Sequence, residues 1–175
     1  ASKVAGSRFF YLKNEAVLLD MAIQRYAVDK LIRSGFKMYW PPLMLNRATL
    51  AGGVNLSEFK DTIYKIEGED LYLIGTSEHP LVALMKDQVL NESDLPMRLG
   101  GVSVCFRREA GSHGRDTKGI FRVHQFNKVE QVVYCKPEES TKFFKELQRN
   151  SEEMFKELGI PFRVVNICTG DLGNK

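Results

Sequence analysis

Two β-prone runs, Val102 to Glu109 and Ile120 to Tyr134, flank a short polar, Gly-containing stretch from Ala110 to Gly119. Bounded in this way they read as a hairpin, and a hairpin commits the chain to an antiparallel sheet. The rest of the sequence agrees. A further β-prone pair, Thr62 to Ile66 and Leu71 to Ile74, is joined by the turn Glu67-Gly68-Glu69-Asp70, and helices are interspersed without a regular βαβ alternation. The expected fold is therefore α+β, an antiparallel sheet flanked by helices, in a chain whose 175 residues suffice for one domain with a real core.

The flanking elements carry their own punctuation. Glu15 to Ser34 is rich in helix formers, with Leu18, Met21, Ala22, Leu31 and Ile32 recurring at three- and four-residue steps. Gly35 supplies a left-handed cap, and the β-prone Phe36 to Trp40 stops at Pro41-Pro42, which cannot continue a ladder. Ala51 to Ser57 reads as a loop, and Gly75-Thr76-Ser77 reads as the cap of a helix reaching about Leu90. Pro137 opens a last helix with an apolar stripe (Phe143, Phe144, Leu147, Met154, Phe155, Leu158) expected in the core; Gly159 and Pro161 end it, and Phe162 to Ile167 is expected as a closing strand.

Charge excludes some functions. With 25 basic and 22 acidic residues the balance is +3, far from the footprint of a dedicated nucleic-acid-binding domain. No apolar run approaches the roughly 18 residues that span a bilayer, and the opening residues lack a signal-peptide apolar segment. A cytoplasmic protein with no membrane partner is expected. Cys105, Cys135 and Cys168 are far apart and His79, His113 and His124 are scattered, so spacing supports no metal site and each thiol is expected as a small buried hydrophobe.

The hairpin is where chemistry concentrates. Alternation puts Ser103, Cys105, Arg107 and Glu109 on one face, and Arg122, His124, Phe126, Lys128 and Glu130 on one face of the next strand. Guanidinium forks suit phosphate and carboxylate oxygens, an aromatic ring can stack on a base, and a carboxylate accepts from an ammonium or hydroxyl. Cross-strand salt bridges on a solvated sheet, each contributing ~0.2–1 kcal/mol, are the competing reading. Thr76 and Glu78 likewise read either as a helix cap or as part of a site, and Asp171 in Thr169-Gly170-Asp171-Leu172-Gly173 reads by itself as a turn residue.

Phe106-Arg107-Arg108-Glu109, with Phe121 to Glu130 (FRVHQFNKVE), resembles motif 2 of the class II aminoacyl-tRNA synthetases in the form carried by their seryl-specific members. Glu15 to Pro42 resembles motif 1, Gly75 to Glu78 resembles the amino-acid-binding Thr-x-Glu loop, and Thr169 to Gly173 also fits. The resemblance implies an ATP-dependent ligase that joins L-serine to ATP, releases pyrophosphate and passes the seryl group to serine tRNA, with Mg²⁺ on the nucleotide. By the same match, Arg107 would bind the α-phosphate and the serine carboxylate, Arg122 would help hold that end, Phe126 would stack on adenine and Glu109 would lie near its amino group. Thr76 and Glu78 would hold the serine ammonium, and Glu130 its hydroxyl. A homodimer through residues 15–42 is implied too. Residues 1–175 would then be part of a class II catalytic domain, without the family's motif 3 and N-terminal tRNA-binding arm. A noncatalytic relative that folds and dimerises is the alternative.

Overall fold

The computed structural model describes residues 1–54, 61–109 and 119–172. The loop expected at Ala110 to Gly119 therefore lies outside the described residues except at Gly119, as does part of the one expected at Ala51 to Ser57.

After a short helix α1 (Ser2–Ala5), α2 (Glu15–Arg33) ends as its sequence requires. Gly35 takes φ 83°, and the N–H groups of Gly35 and Phe36 donate to the carbonyls of Ile32 and Leu31, a Schellman cap. The chain then forms β1 (Lys37–Tyr39), β2 (Met44–Leu45), α3 (Arg47–Gly53), β3 (Tyr72–Leu73) and α4 (Glu78–Ala83). The long strands β4 (Met97–Phe106) and β5 (Gln125–Tyr134) precede α5 (Ser140–Glu157), which ends at Gly159 in the same way as α2.

Strands β4 and β5 pair antiparallel from Met97↔Tyr134 to Phe106↔Gln125. The sheet order is β1-β4-β5, and β1 pairs with β4 in parallel. The sheet is thus mixed rather than wholly antiparallel, because the long connection from β1 to β4 frees that pair from hairpin geometry. The expected hairpin around Gly68 survives as the single bridge Lys65↔Tyr72, while β3 spends its ladder on β2.

Other expectations are corrected. Ala51–Gly53 belongs to α3, whose start is fixed by the Asn46 side chain accepting from the Thr49 N–H at 2.9 Å. The helix after Thr76 stops at Ala83, and Asp87 is left-handed at φ 60°, which a continuing helix cannot include. Residues 120–124 precede the ladder, and 162–167 form no strand. The α5 stripe is only partly core: Phe143 is buried, whereas Phe144, Phe155 and Leu158 are exposed. Cys105 is buried as expected, Cys135 is half-buried, and Cys168 is exposed.

Buried Leu31, Leu99, Leu81 and Phe143 link helices and sheet, and Leu45, Leu50, Val54 and Ile74 form a second cluster beneath the Thr76 turn. Arg98 joins β4 to α5 by a two-pronged ion pair to Glu146, 2.7 and 3.1 Å, with Phe143 under its guanidinium. That pairing raises the Arg98 pKa and lowers that of Glu146. Lys30 and Tyr26 of α2 reach Glu157 of α5.

Candidate active site

One face of the sheet carries the site because of register. Cys105 pairs with Phe126, Ser103 with Lys128 and Gly101 with Glu130, so Phe126, Lys128 and Glu130 project together at steps of about 6.6–6.8 Å. The small residues opposite them leave room for the turn before α4. A Cβ on Gly101 would fall 2.7 Å from Ser77 Oγ and 2.9 Å from Leu81 Cδ1, so only glycine lets that turn lie against the sheet.

The turn meets β5 through Thr76. Its hydroxyl donates to Glu130 Oε2 at 2.7 Å and accepts from Lys128 Nζ at 2.9 Å and from the Glu78 N–H at 3.2 Å. One donor and two acceptor sites are all used. Thr76, not Ser77, therefore caps the first turn of α4, because Ser77 is fully buried against the sheet. Lys128 also pairs with Glu130, whose other oxygen accepts from the Gln131 N–H. Two buried atoms near this turn, Ser77 Oγ and His79 Nδ1, have no hydrogen-bond partner among the described residues. Burial first, then the Lys128 and Arg107 cations, lowers the His79 pKa to about 4, so the ring is neutral at pH 7.

Arg107 stands at the exposed end of β4. Its Nε–H donates to the Gly75 carbonyl at 3.1 Å, and its guanidinium lies 5.3 Å from the Phe126 ring centroid. The cation and the Phe126 ring thus adjoin the Thr76–Lys128–Glu130 cluster through the Gly75–Thr76 peptide. Beyond the ladder, Arg122 donates to Glu109 Oε2 at 3.2 Å. Arg122 precedes β5, so strand alternation does not place it; the bend at residues 121–124 does. Glu78 contributes its backbone to Thr76 and is exposed on the first turn of α4.

The structure therefore brings Thr76 to Glu130, Arg107 to Phe126 and Arg122 to Glu109. Sequence reasoning gave Lys128 no role beyond its place in the charged row, although that alternating row was the signal for it. Arg8, Phe9 and Tyr64, which close on the same region, had no local signal. Among the described residues no group of three or more His, Cys, Asp or Glu could hold a metal ion. Among the same residues no helix is long and apolar enough to cross a membrane.

An antiparallel hairpin bearing arginines and an aromatic ring, beside a Thr-x-Glu turn at a helix start, is the arrangement of a class II synthetase core. The tRNA synthetase class II core domain (G, H, P, S and T) matches residues 61–175, and the chain belongs to that family. Within it the seryl type is the match. The chain is 58% identical over 174 residues to the serine--tRNA ligase of Picrophilus torridus, covering 99% of this chain and 39% of that protein. The crystal structure of seryl-tRNA synthetase from Pyrococcus horikoshii complexed with ATP superposes with a TM-score of 0.95 at 57% identity, over 99% of this chain and 39% of that one. The cytoplasmic serine-tRNA ligase of Naegleria fowleri in complex with AMP follows at 0.93 and 42%, over 99% and 41%. The chain thus spans about two fifths of the length of these relatives.

Proposed function

We propose that residues 1–175 are the serine-activating part of a cytoplasmic seryl-tRNA ligase catalytic domain. The carrying observation is that Arg107 with Phe126 and Thr76 with Glu130 occupy adjacent positions on one sheet face. The reaction is attack of the serine carboxylate on the α-phosphorus of ATP, with loss of pyrophosphate, and then transfer of the seryl group to the 3′ adenosine of serine tRNA.

This chain's residues supply alignment and charge. Arg107, fixed at Nε by the Gly75 carbonyl, turns its remaining N–H donors toward the α-phosphate and the serine carboxylate, where negative charge grows in the pentacoordinate transition state. Phe126 offers its ring to adenine, Glu109 its carboxylate to the adenine amino group, and Arg122 reinforces the phosphate end. Neither step requires a protein nucleophile; holding the reactants in line is itself a large part of the barrier reduction. Mg²⁺ bound together with ATP would temper the charge of the phosphates, which Arg107 and Arg122 meet from the protein side.

Serine enters where Lys128 now sits. Thr76 has no acceptor site left, so the serine ammonium takes the place of the Lys128 ammonium on Thr76, with Glu78 close by on the helix start. Glu130 accepts from the serine hydroxyl. Alanine would leave that carboxylate short of a partner, the kind of mismatch a polar site rejects strongly.

Serine-dependent exchange of pyrophosphate into ATP tests the reading, with alanine and threonine as competitors. Exchange with serine alone is expected. Glu130→Gln should lower kcat/KM for serine about 10- to 100-fold, the worth of a hydrogen bond to a charged group, while ATP affinity stays unchanged. A folded chain that binds ATP yet gives no exchange would overturn activation by these residues.

A homodimer through residues 15–42 fits the same reading. Val17, Leu18, Leu19, Met21 and Ile23 of α2 and Trp40 beyond β1 are exposed, and an apolar surface of that kind suits an interface. Sedimentation at micromolar concentration should give twice the chain mass; a monomer alone would refute it.

A further inference from the structure

Backbone contacts converge where the chain leaves β4. The Arg107 N–H donates to the His124 carbonyl at 3.0 Å, one step beyond the Phe106↔Gln125 pair. The Arg108 N–H donates to the Thr62 carbonyl at 2.9 Å, and Arg8 Nη1 donates to the Glu109 carbonyl at 2.9 Å. Three successive residues, two of them assigned to the nucleotide, are thus each held from a different segment.

His124 is the centre of this arrangement. Its Nδ1 lies 3.0 Å from the Arg107 carbonyl and 2.9 Å from the Tyr64 hydroxyl. A carbonyl oxygen only accepts, so Nδ1 carries the hydrogen and shares it between the two oxygens. Its backbone N–H donates to the Arg8 carbonyl at 3.1 Å, and its ring packs against Phe9 with centroids 5.0 Å apart and planes tilted by 34°. Arg8 and Glu109 both adopt left-handed backbone, φ 61° and 53°. For residues other than glycine that conformation costs on the order of 1–2 kcal/mol each and persists only where surrounding contacts impose it.

We propose that His124, gripped by Arg8, Phe9 and Tyr64, is a positioning residue that sets the direction of Arg107 before any ligand binds. This rests on the role given to Arg107 above. The Arg107 side chain is exposed, and apart from Nε and the Phe126 ring its aim depends on where its backbone is pinned. Pinning it beforehand removes an ordering cost from the binding and chemical steps.

The test compares His124→Ala, His124→Asn and His124→Gln. The asparagine amide nitrogen can occupy the Nδ1 position, whereas the glutamine nitrogen reaches past it. In the nucleotide-free chain, His124→Ala should speed hydrogen exchange of the Arg107 amide at least about tenfold while the interior of the β4–β5 ladder stays protected, with protection recovered in Asn and not in Gln. In pyrophosphate exchange, kcat should fall about 10- to 100-fold in the Ala variant with KM for ATP changed much less, as misplacement of a catalytic group predicts. Tyr64→Phe, a milder change, should move both readouts the same way and serves if His124→Ala fails to fold. An unaltered Arg107 amide, equal loosening of the whole ladder, or rescue by Gln as good as by Asn would overturn the proposal. Should the parent chain exchange no pyrophosphate, the activation reading falls, and amide exchange alone decides the positioning role.

Discussion

Arg107→Ala is expected to lower serine-dependent pyrophosphate exchange about 10²- to 10³-fold, the usual loss when one preorganised donor to a developing charge is removed. Its effect on stability should be small. The side chain is exposed, and its contacts among the described residues are one hydrogen bond to the Gly75 carbonyl and a cation–π contact with Phe126, the latter worth about 0.5–1 kcal/mol at an exposed site. Activity and fold therefore separate in this variant, and measuring exchange beside a urea unfolding curve makes the separation visible. Cys135→Ser, at a half-buried thiol just past the far end of β5, serves as the control that should keep nearly full activity. Comparable losses from the two substitutions would mean that the chemistry lies elsewhere.

The second large effect is on stability. Gly101→Ala puts a methyl group 2.7 Å from Ser77 Oγ and 2.9 Å from both Ser77 Cβ and Leu81 Cδ1. Ser77 and Leu81 are 0% and 2% exposed, so neither side chain can swing away, and the turn before α4 must lift from the sheet. The expected cost is about 1–3 kcal/mol, more for Gly101→Val. Lifting the turn also draws Thr76 from Glu130, so serine affinity should fall with stability. Gly52→Ala provides the contrast: it lies within α3 with no described residue within 4 Å of the added Cβ, and alanine there should stabilise by up to about 1 kcal/mol. Equal midpoints for Gly101→Ala and the parent in urea would show that the close approach has slack.

Much of the site was legible because strand alternation is a local rule. Phe126, Lys128 and Glu130 share a face whatever the rest of the molecule does, but the register that sets Cys105 opposite Phe126 is fixed across a long connection and is seen only in the structure. Arg122 shows the limit of that rule. Alternation places it on a strand that begins only at Gln125, and it reaches Glu109 from a bend instead. The stripe on α5 shows another limit: helical spacing reveals which residues share a face but not what covers it, and Phe144 and Phe155 remain exposed.

By itself the sequence determined the features whose physics is confined to a few neighbouring residues. These are the α2 helix and its Gly35 cap, the stop at Pro41-Pro42, the antiparallel β4–β5 pair and the composition of its charged face. Tertiary structure alone decided the parallel seat of β1, the close approach over Gly101, the Lys128 ammonium between Thr76 and Glu130, and the clasp of Arg8, Phe9 and Tyr64 on His124. The division has one physical reason. Backbone dihedral preferences, caps and alternation act over a few residues and are written locally, whereas these contacts join segments distant in the chain, and only the packing of the whole fold brings such segments together.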